Sequence, residues 1–140
     1  MRRALAALGP ADPATAWERY ADPGLWPTWS PQIRAVRTSS SRLAPAMTGT
    51  VLGWGGLELP FVVDAVDEAA RTWVWRVRPV RALHAPLPAA LTALGTVRLR
   101  HAVGPGDGGG ALTTLEVTGA APVVLAYAPA AGWALRRLVS

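Results

Sequence analysis

Hydrophobic and polar positions alternate along much of the second half of the chain, the two-residue period of strands with one buried face. In Thr96–Val103, Val97, Leu99, His101 and Val103 fall on one side, Arg98 and Arg100 on the other. Ala111–Thr118 reads the same way, and the Gly-rich run Gly104–Gly110 between the two segments predicts a hairpin. Placing Val103 opposite Ala111 sets Leu99 against Leu115, Val97 against Val117 and His101 against Thr113, with Arg98 meeting Glu116 on the reverse face. Leu59–Val66 and Thr72–Val77, separated by the polar stretch Asp67–Arg71, predict a second hairpin. With Val66 opposite Thr72, the residues Phe61, Val63 and Ala65 line up with Val77, Trp75 and Trp73, while Asp64, Arg76 and Arg78 face away. Ile33–Thr38 and Thr48–Gly53 read as earlier strands, the latter turning at Trp54-Gly55-Gly56. Ala4–Leu8 is a short apolar run readable as a first strand.

The helical signals lie at the two ends. Asp12-Pro13 combines an N-cap acceptor with proline at the first helical position, and predicts a helix to about Tyr20, stopped by Asp22-Pro23-Gly24. A second short helix or turn carries Leu25, Trp26 and Trp29. From Ala121 to Leu138 the chain predicts one long helix with Val123, Tyr127, Ala130, Ala134 and Leu138 on a single stripe, and Arg136 and Arg137 at the negative end of its dipole. Pro79–Gly95 reads as a flap, with a short helix near Ala89–Leu94. The order is short strand, two short helices, about six strands as a meander, then one long helix. That is an α+β domain, an antiparallel sheet with helices on one face. Both hairpins give one aromatic and branched face and one face studded with Arg, so one side must be covered and the long helix is the cover.

Composition narrows the chemistry. The 140 residues, 51% of them hydrophobic, suit one compact domain over 1–140 and exclude intrinsic disorder. Cysteine is absent, which excludes thiol catalysis, Cys-ligated zinc and disulfides. The formal net charge is +5, and every one of the 14 basic side chains is Arg. No apolar run approaches the roughly 18–20 residues of a membrane span, and Met1–Pro10 has no signal-peptide core, so the expectation is a cytoplasmic protein. Two histidines without clustered carboxylates predict no metal site, and no phosphate-binding, dinucleotide or nucleophile-elbow motif predicts a cofactor.

Three stretches carry a resemblance. The segment Ala14-Thr15-Ala16-Trp17 to Ala21-Asp22-Pro23, with Trp26-Pro27-Thr28-Trp29-Ser30-Pro31, resembles a "VW…DP…WPxWxP" signature. Val66-Asp67-Glu68 to Trp73-Val74-Trp75 resembles a "VDP…WxW" hairpin, and His101, Gly109-Gly110 and Glu116-Val117-Thr118-Gly119 resemble an "H…GG…E…G" run. Together they resemble the SRPBCC superfamily, the START-like or Bet v 1-like helix-grip proteins, in its polyketide cyclase/dehydrase branch. The resemblance implies a seven-stranded antiparallel sheet gripping the C-terminal helix around an apolar cavity for a hydrophobic small molecule such as a polyketide or lipid. It implies either an enzyme of secondary metabolism, cyclising or dehydrating without a cofactor, or a carrier or sensor. The first strand looks short for that fold, which leaves open a homodimer that completes the sheet edge. No catalytic set carries over from the signature.

His101, on the apolar face, is the candidate acid–base group, and Tyr127, mid-helix on the stripe facing the sheet, the candidate donor to a ligand carbonyl. Both have a purely structural alternative, a buried His satisfied by its neighbours and a packed aromatic. Phe61, Val63, Trp73, Trp75, Val77, Leu99, Thr113, Leu115 and Val123 are the expected ligand-contacting wall, and Trp17 and Trp29 are assigned to the fold. His84 and Glu58 have no assigned role. Arg76, Arg78, Arg98 and Arg100 form a basic stripe, but no aromatic is interleaved and no nucleic-acid module matches, so a solvated sheet face is expected rather than nucleic-acid binding.

Overall fold

A computed structural model of the chain describes residues 1–78 and 95–140, with the backbone pairing of Arg81–Ala82 and Ala85–Pro86 between them. In order, the elements are β1 (Arg2–Gly9), α1 (Pro13–Ala21), a turn of 3-10 helix at Pro23–Leu25, α2 (Trp26–Trp29), β2 (Ile33–Thr38), β3 (Thr48–Gly53), a second 3-10 turn at Trp54–Gly56, β4 (Glu58–Asp67), β5 (Thr72–Val77), β6 (Arg81–Ala82), β7 (Ala85–Pro86), β8 (Val97–Pro105), β9 (Ala111–Thr118) and α3 (Ala121–Leu138). The seven long strands run β1-β9-β8-β5-β4-β3-β2, every neighbour antiparallel. The curved sheet wraps α3, the helix-grip arrangement that the resemblance implies. His84 and the expected helix near Ala89–Leu94 lie outside the described residues.

β1 corrects the short first strand. It spans eight residues and pairs with β9 along its whole length, from Arg2↔Thr118 to Gly9↔Ala111. Arg2 extends it on the wet face, where it pairs with Glu116, and Arg3, in phase with Leu5 and Ala7, extends it where the end of the inner face is exposed and needs no apolar residue. Gly9 extends it because the backbone of Val139 passes where a Cβ would stand. The shortened edge that suggested a homodimer is therefore absent.

The two hairpins keep their faces but not their registers. β8 and β9 pair two residues further along than expected, with Val103↔Thr113, His101↔Leu115 and Leu99↔Val117, because β8 continues to Pro105 before a tight turn. That turn takes positive φ at Gly108, Gly109 and Gly110 and closes with a hydrogen bond from Gly106 N–H to the Gly110 carbonyl. A slip of two residues leaves each side chain on its face, whereas a slip of one would have inverted them. It does reassign the ion pair: Glu116 meets Arg2 instead of Arg98. In β4, Phe61↔Val77 and Val63↔Trp75 stand as expected, but a bulge follows, so that Val66 rather than Ala65 lies opposite Trp73. The bulge turns Asp64 and Ala65 both to solvent, where Asp64 accepts from Arg76 Nε and Nη2 at 2.8–3.0 Å.

The long helix has two working rows. Val124, Ala128, Ala131, Leu135 and Leu138 are buried, and the helix packs chiefly on β1. The stripe read from the sequence, Val123, Tyr127, Ala130 and Ala134, faces the inside of the grip instead. An α-helix offers both rows at a spacing of three and four residues, and an Ala-rich sequence does not say which row the sheet takes.

Candidate ligand cavity

Behind the cavity surface, the support of the wall begins at α1. Asp12 caps it by accepting from the Ala14 N–H at 3.2 Å, and its buried face is Ala16, Trp17, Tyr20 and Ala21. Four carbonyls at a helix C-terminus lack intrahelical partners, and here each has a named donor. Glu18 O takes the Asp22 N–H, Arg19 O the Trp29 indole at 2.8 Å, Tyr20 O the Trp26 indole at 2.8 Å, and Ala21 O the Leu43 N–H. The WPTW segment of α2 is thus an indole clamp on the end of α1, which orients both rings. Trp17 donates to Glu68, whose carboxylate Arg42 also bridges to Glu18.

Trp26 in turn meets Phe61, Trp73 and Trp75 at ring-centroid distances of 5.3–5.7 Å. Trp73 stacks on His101 at 4.6 Å and 12° and on Trp75 at 5.0 Å and 30°. Between this layer and α3 lies a cavity of about 460 Å³, within the size range of small-molecule sites. Trp26, Trp29, Trp73, Trp75, Val77, Val97, Leu99, His101 and Leu115 line one side, and Pro122, Val123, Ala126, Tyr127, Ala130 and Ala134 the other. Ile33, Val51, Leu57 and Leu59 close a flank together with Ser30 and Gln32. Among the described lining residues none carries a formal charge.

His101 is held in a closed relay. The Trp75 Nε1–H donates to His101 Nε2 at 3.0 Å, which makes that nitrogen the acceptor and places the ring proton on Nδ1. Nδ1–H then donates to the Tyr20 hydroxyl at 3.0 Å, Tyr20 donates to Thr113 Oγ1 at 3.1 Å, and Thr113 donates to the Ala102 carbonyl at 3.2 Å. Burial with no neighbouring anion lowers the His101 pKa to about 3, so the imidazole is neutral at physiological pH. Burial likewise pushes the Tyr20 hydroxyl far up and the Tyr127 hydroxyl up to about 12. Tyr127 is only half-buried by surface area because it borders the cavity. Gln32 Oε1 and Trp73 Nε1 are buried without a hydrogen-bond partner among the described residues.

The structure therefore brings Trp73, Trp75, Val77, Leu99, Leu115 and Val123 to the cavity surface, with His101 and Tyr127 among them. Phe61, Val63 and Thr113 are buried but lie behind that surface: Phe61 is covered by Trp26 and Trp75, and the Thr113 hydroxyl is taken by Tyr20. Trp17 and Trp29 hold α1 as the fold assignment has it, and Trp29 also reaches the cavity. Glu58 pairs with Arg37 at 3.6 Å. The sequence reading missed part of the lining, Ser30 and Gln32 included, and with it two residues that organise the wall, Tyr20 and Trp26. Their signal was the buried row Ala16, Trp17, Tyr20 of a capped helix, which marks packing without saying that a hydroxyl reaches the sheet.

The family described as polyketide cyclase / dehydrase and lipid transport has a model that matches residues 8–140. The chain belongs to that family. As a member of the polyketide cyclase/dehydrase and lipid transport family it falls in the SRPBCC superfamily. No curated protein sequence matches it. Similar solved structures include Ara h 8.0201, with a TM-score of 0.74 and 16% identity over 99% of this chain and 94% of that one. A protein from Nitrosospira multiformis has a TM-score of 0.77 and 11% identity, covering 99% and 94% of the two chains. Protein Ms6760 from Mycobacterium smegmatis has a TM-score of 0.70 and 20% identity, covering 98% and 87%. At such identities the likeness to the three structures is one of fold.

Proposed function

We propose that the protein binds and carries an uncharged, largely apolar small molecule in the cavity between the sheet and α3. One observation carries this reading: the cavity is apolar, and its two titratable residues among those described, His101 and Tyr127, are both fixed in neutral forms by burial. An ionised ligand placed there would lose its hydration without gaining a counter-charge, at a cost of several kcal/mol. The Trp73–Trp75 layer offers flat faces for ring stacking, and Tyr127, Gln32 and the Trp73 Nε1–H are among the polar groups left to orient a carbonyl or hydroxyl. His101 contributes its ring face and the orientation of Trp75, not a proton.

A second reading is the enzyme that the family description suggests, a cyclase or dehydratase. The Tyr127 hydroxyl favours it, as a neutral donor that can stabilise an enolate as it forms. A catalytic base is harder to place, because the relay occupies both nitrogens of His101 and proton transfer near neutral pH calls for a pKa close to 7.

Native mass spectrometry of the purified chain, followed by solvent extraction, tests the first reading. The expected result is a neutral co-purified molecule, displaced by an apolar fluorescent probe. A cavity that takes neither ligand nor probe would refute binding. Product formation from a polyketide-like substrate by the wild type, lost in Tyr127→Phe with binding retained, would establish the enzyme in its place.

A further inference from the structure

Among the described residues, nothing polar covers the outward face of α3. Leu125 and Trp133 are 49% and 51% exposed, and Ala121, Pro122, Ala126 and Pro129 are exposed beside them. From Ala121 to Leu135 the helix carries no charged side chain at all; its first charges are Arg136 and Arg137, one turn beyond Trp133 and both exposed. A surface helix ordinarily turns charged or polar residues to water. An apolar row with an indole and arginines at one end is instead the pattern of a helix lying in a lipid interface.

We infer that this face docks on a bilayer surface bearing anionic headgroups, with Leu125 and Trp133 entering the headgroup–acyl boundary and Arg136 meeting lipid phosphates. Two further observations select a bilayer over a second copy of the chain. The row offers two large half-exposed side chains with small residues between them, far short of the ~800 Å² per partner that a stable protein interface takes. The row also adjoins the cavity: Pro122 and Ala126 are exposed and line the cavity at once, so the cavity reaches the surface along the N-terminal half of α3. Docking would turn that opening toward the apolar layer, the route by which a poorly soluble ligand avoids water. The net charge of +5 adds a long-range attraction to anionic surfaces.

Vesicle flotation tests the inference, with phosphatidylcholine vesicles and with phosphatidylcholine–phosphatidylglycerol vesicles at physiological salt. The wild type is expected to float with the anionic vesicles and much less with the neutral ones. Leu125→Gln/Trp133→Gln should lose most of the bound fraction while keeping its melting temperature and its uptake of an apolar probe. Arg136→Gln, outside the apolar row, should lower binding to the anionic vesicles alone. Ala130→Phe, which fills the cavity from inside, should still dock, so failure of docking and failure of ligand binding are separable. A wild type that does not float with anionic vesicles overturns the proposal, as does a double variant that floats as well as the wild type. A dimer in sedimentation that the double variant breaks, without vesicle binding, assigns the face to a second copy and equally overturns it.

Discussion

Replacing Tyr20 with Phe removes one oxygen from the middle of the buried relay. The ring keeps its packing against Trp29, Trp73 and His101 at 4.9–5.6 Å, so the change is nearly isosteric. What is lost is the acceptor for His101 Nδ1–H and a donor to Thr113 Oγ1. Thr113 keeps its bond to the Ala102 carbonyl, so the cost concentrates on His101. A tautomer switch cannot relieve it, because a proton on Nε2 would confront the Trp75 Nε1–H. One fully buried donor left without a partner costs about 1–3 kcal/mol. For a chain of this size that lowers the melting temperature by roughly 3–9 °C. Urea denaturation of Tyr20→Phe, Thr113→Val and the double variant gives the assay. The relay predicts that Tyr20→Phe costs more than Thr113→Val, and that the two are non-additive by about 1 kcal/mol. A Tyr20→Phe variant within about 0.5 kcal/mol of wild type would show that the relay does not hold His101 as described.

The remaining predictions are shorter. Because burial holds the folded-state pKa of His101 near 3, against about 6.5 in an unfolded chain, the unfolded state binds the extra proton. Stability should fall as pH drops from about 6.5, by up to a few kcal/mol near pH 3; between pH 7 and 5, before carboxylates titrate, His101→Asn should flatten the slope seen by denaturant titration. Ala130→Phe should abolish uptake of an apolar fluorescent probe with little or no loss of melting temperature, since it occupies space already empty; undiminished uptake would place the ligand elsewhere. Arg42→Ala breaks ion pairs to Glu18 and Glu68 that are about half exposed, and should cost less than about 1 kcal/mol, an effect that high salt erases in thermal melts.

The sequence exposed the architecture because period two, period 3.6 and the capping signals all agree, and because faces survive a register slip of two. It did not expose the bulge at Asp64: nothing local distinguishes a bulged Asp-Ala pair from two ordinary strand positions, and what fixes it is the Arg76 guanidinium across the ladder. The cavity wall was legible where it comes from strands, as at Trp73, Trp75, Leu99 and Leu115, since alternation assigns those side chains to one face. The share contributed by α2 was not, nor was the support that Tyr20 gives His101 from behind the wall. Those contacts join a helix end to a sheet across 81 residues, from Tyr20 to His101, and depend on how α1 docks. His101 shows the same limit: its place on the apolar face followed from alternation, but the partners of its two nitrogens, which decide its chemistry, did not.

The pairing of β1 with β9 has a consequence in time rather than in space. Arg2 pairs with Thr118, and the amino group of Met1 donates to Gly119, 118 positions away. Of these strands β1 is made before the others, and it has no neighbour until the last of them, β9, has been made. Contacts of such long sequence separation slow folding, and they expose an unpaired strand edge throughout synthesis. β1 meets that interval with Arg2 and Arg3 at one end and Gly9-Pro10 at the other, a charged start and a proline stop that discourage pairing with the wrong chain.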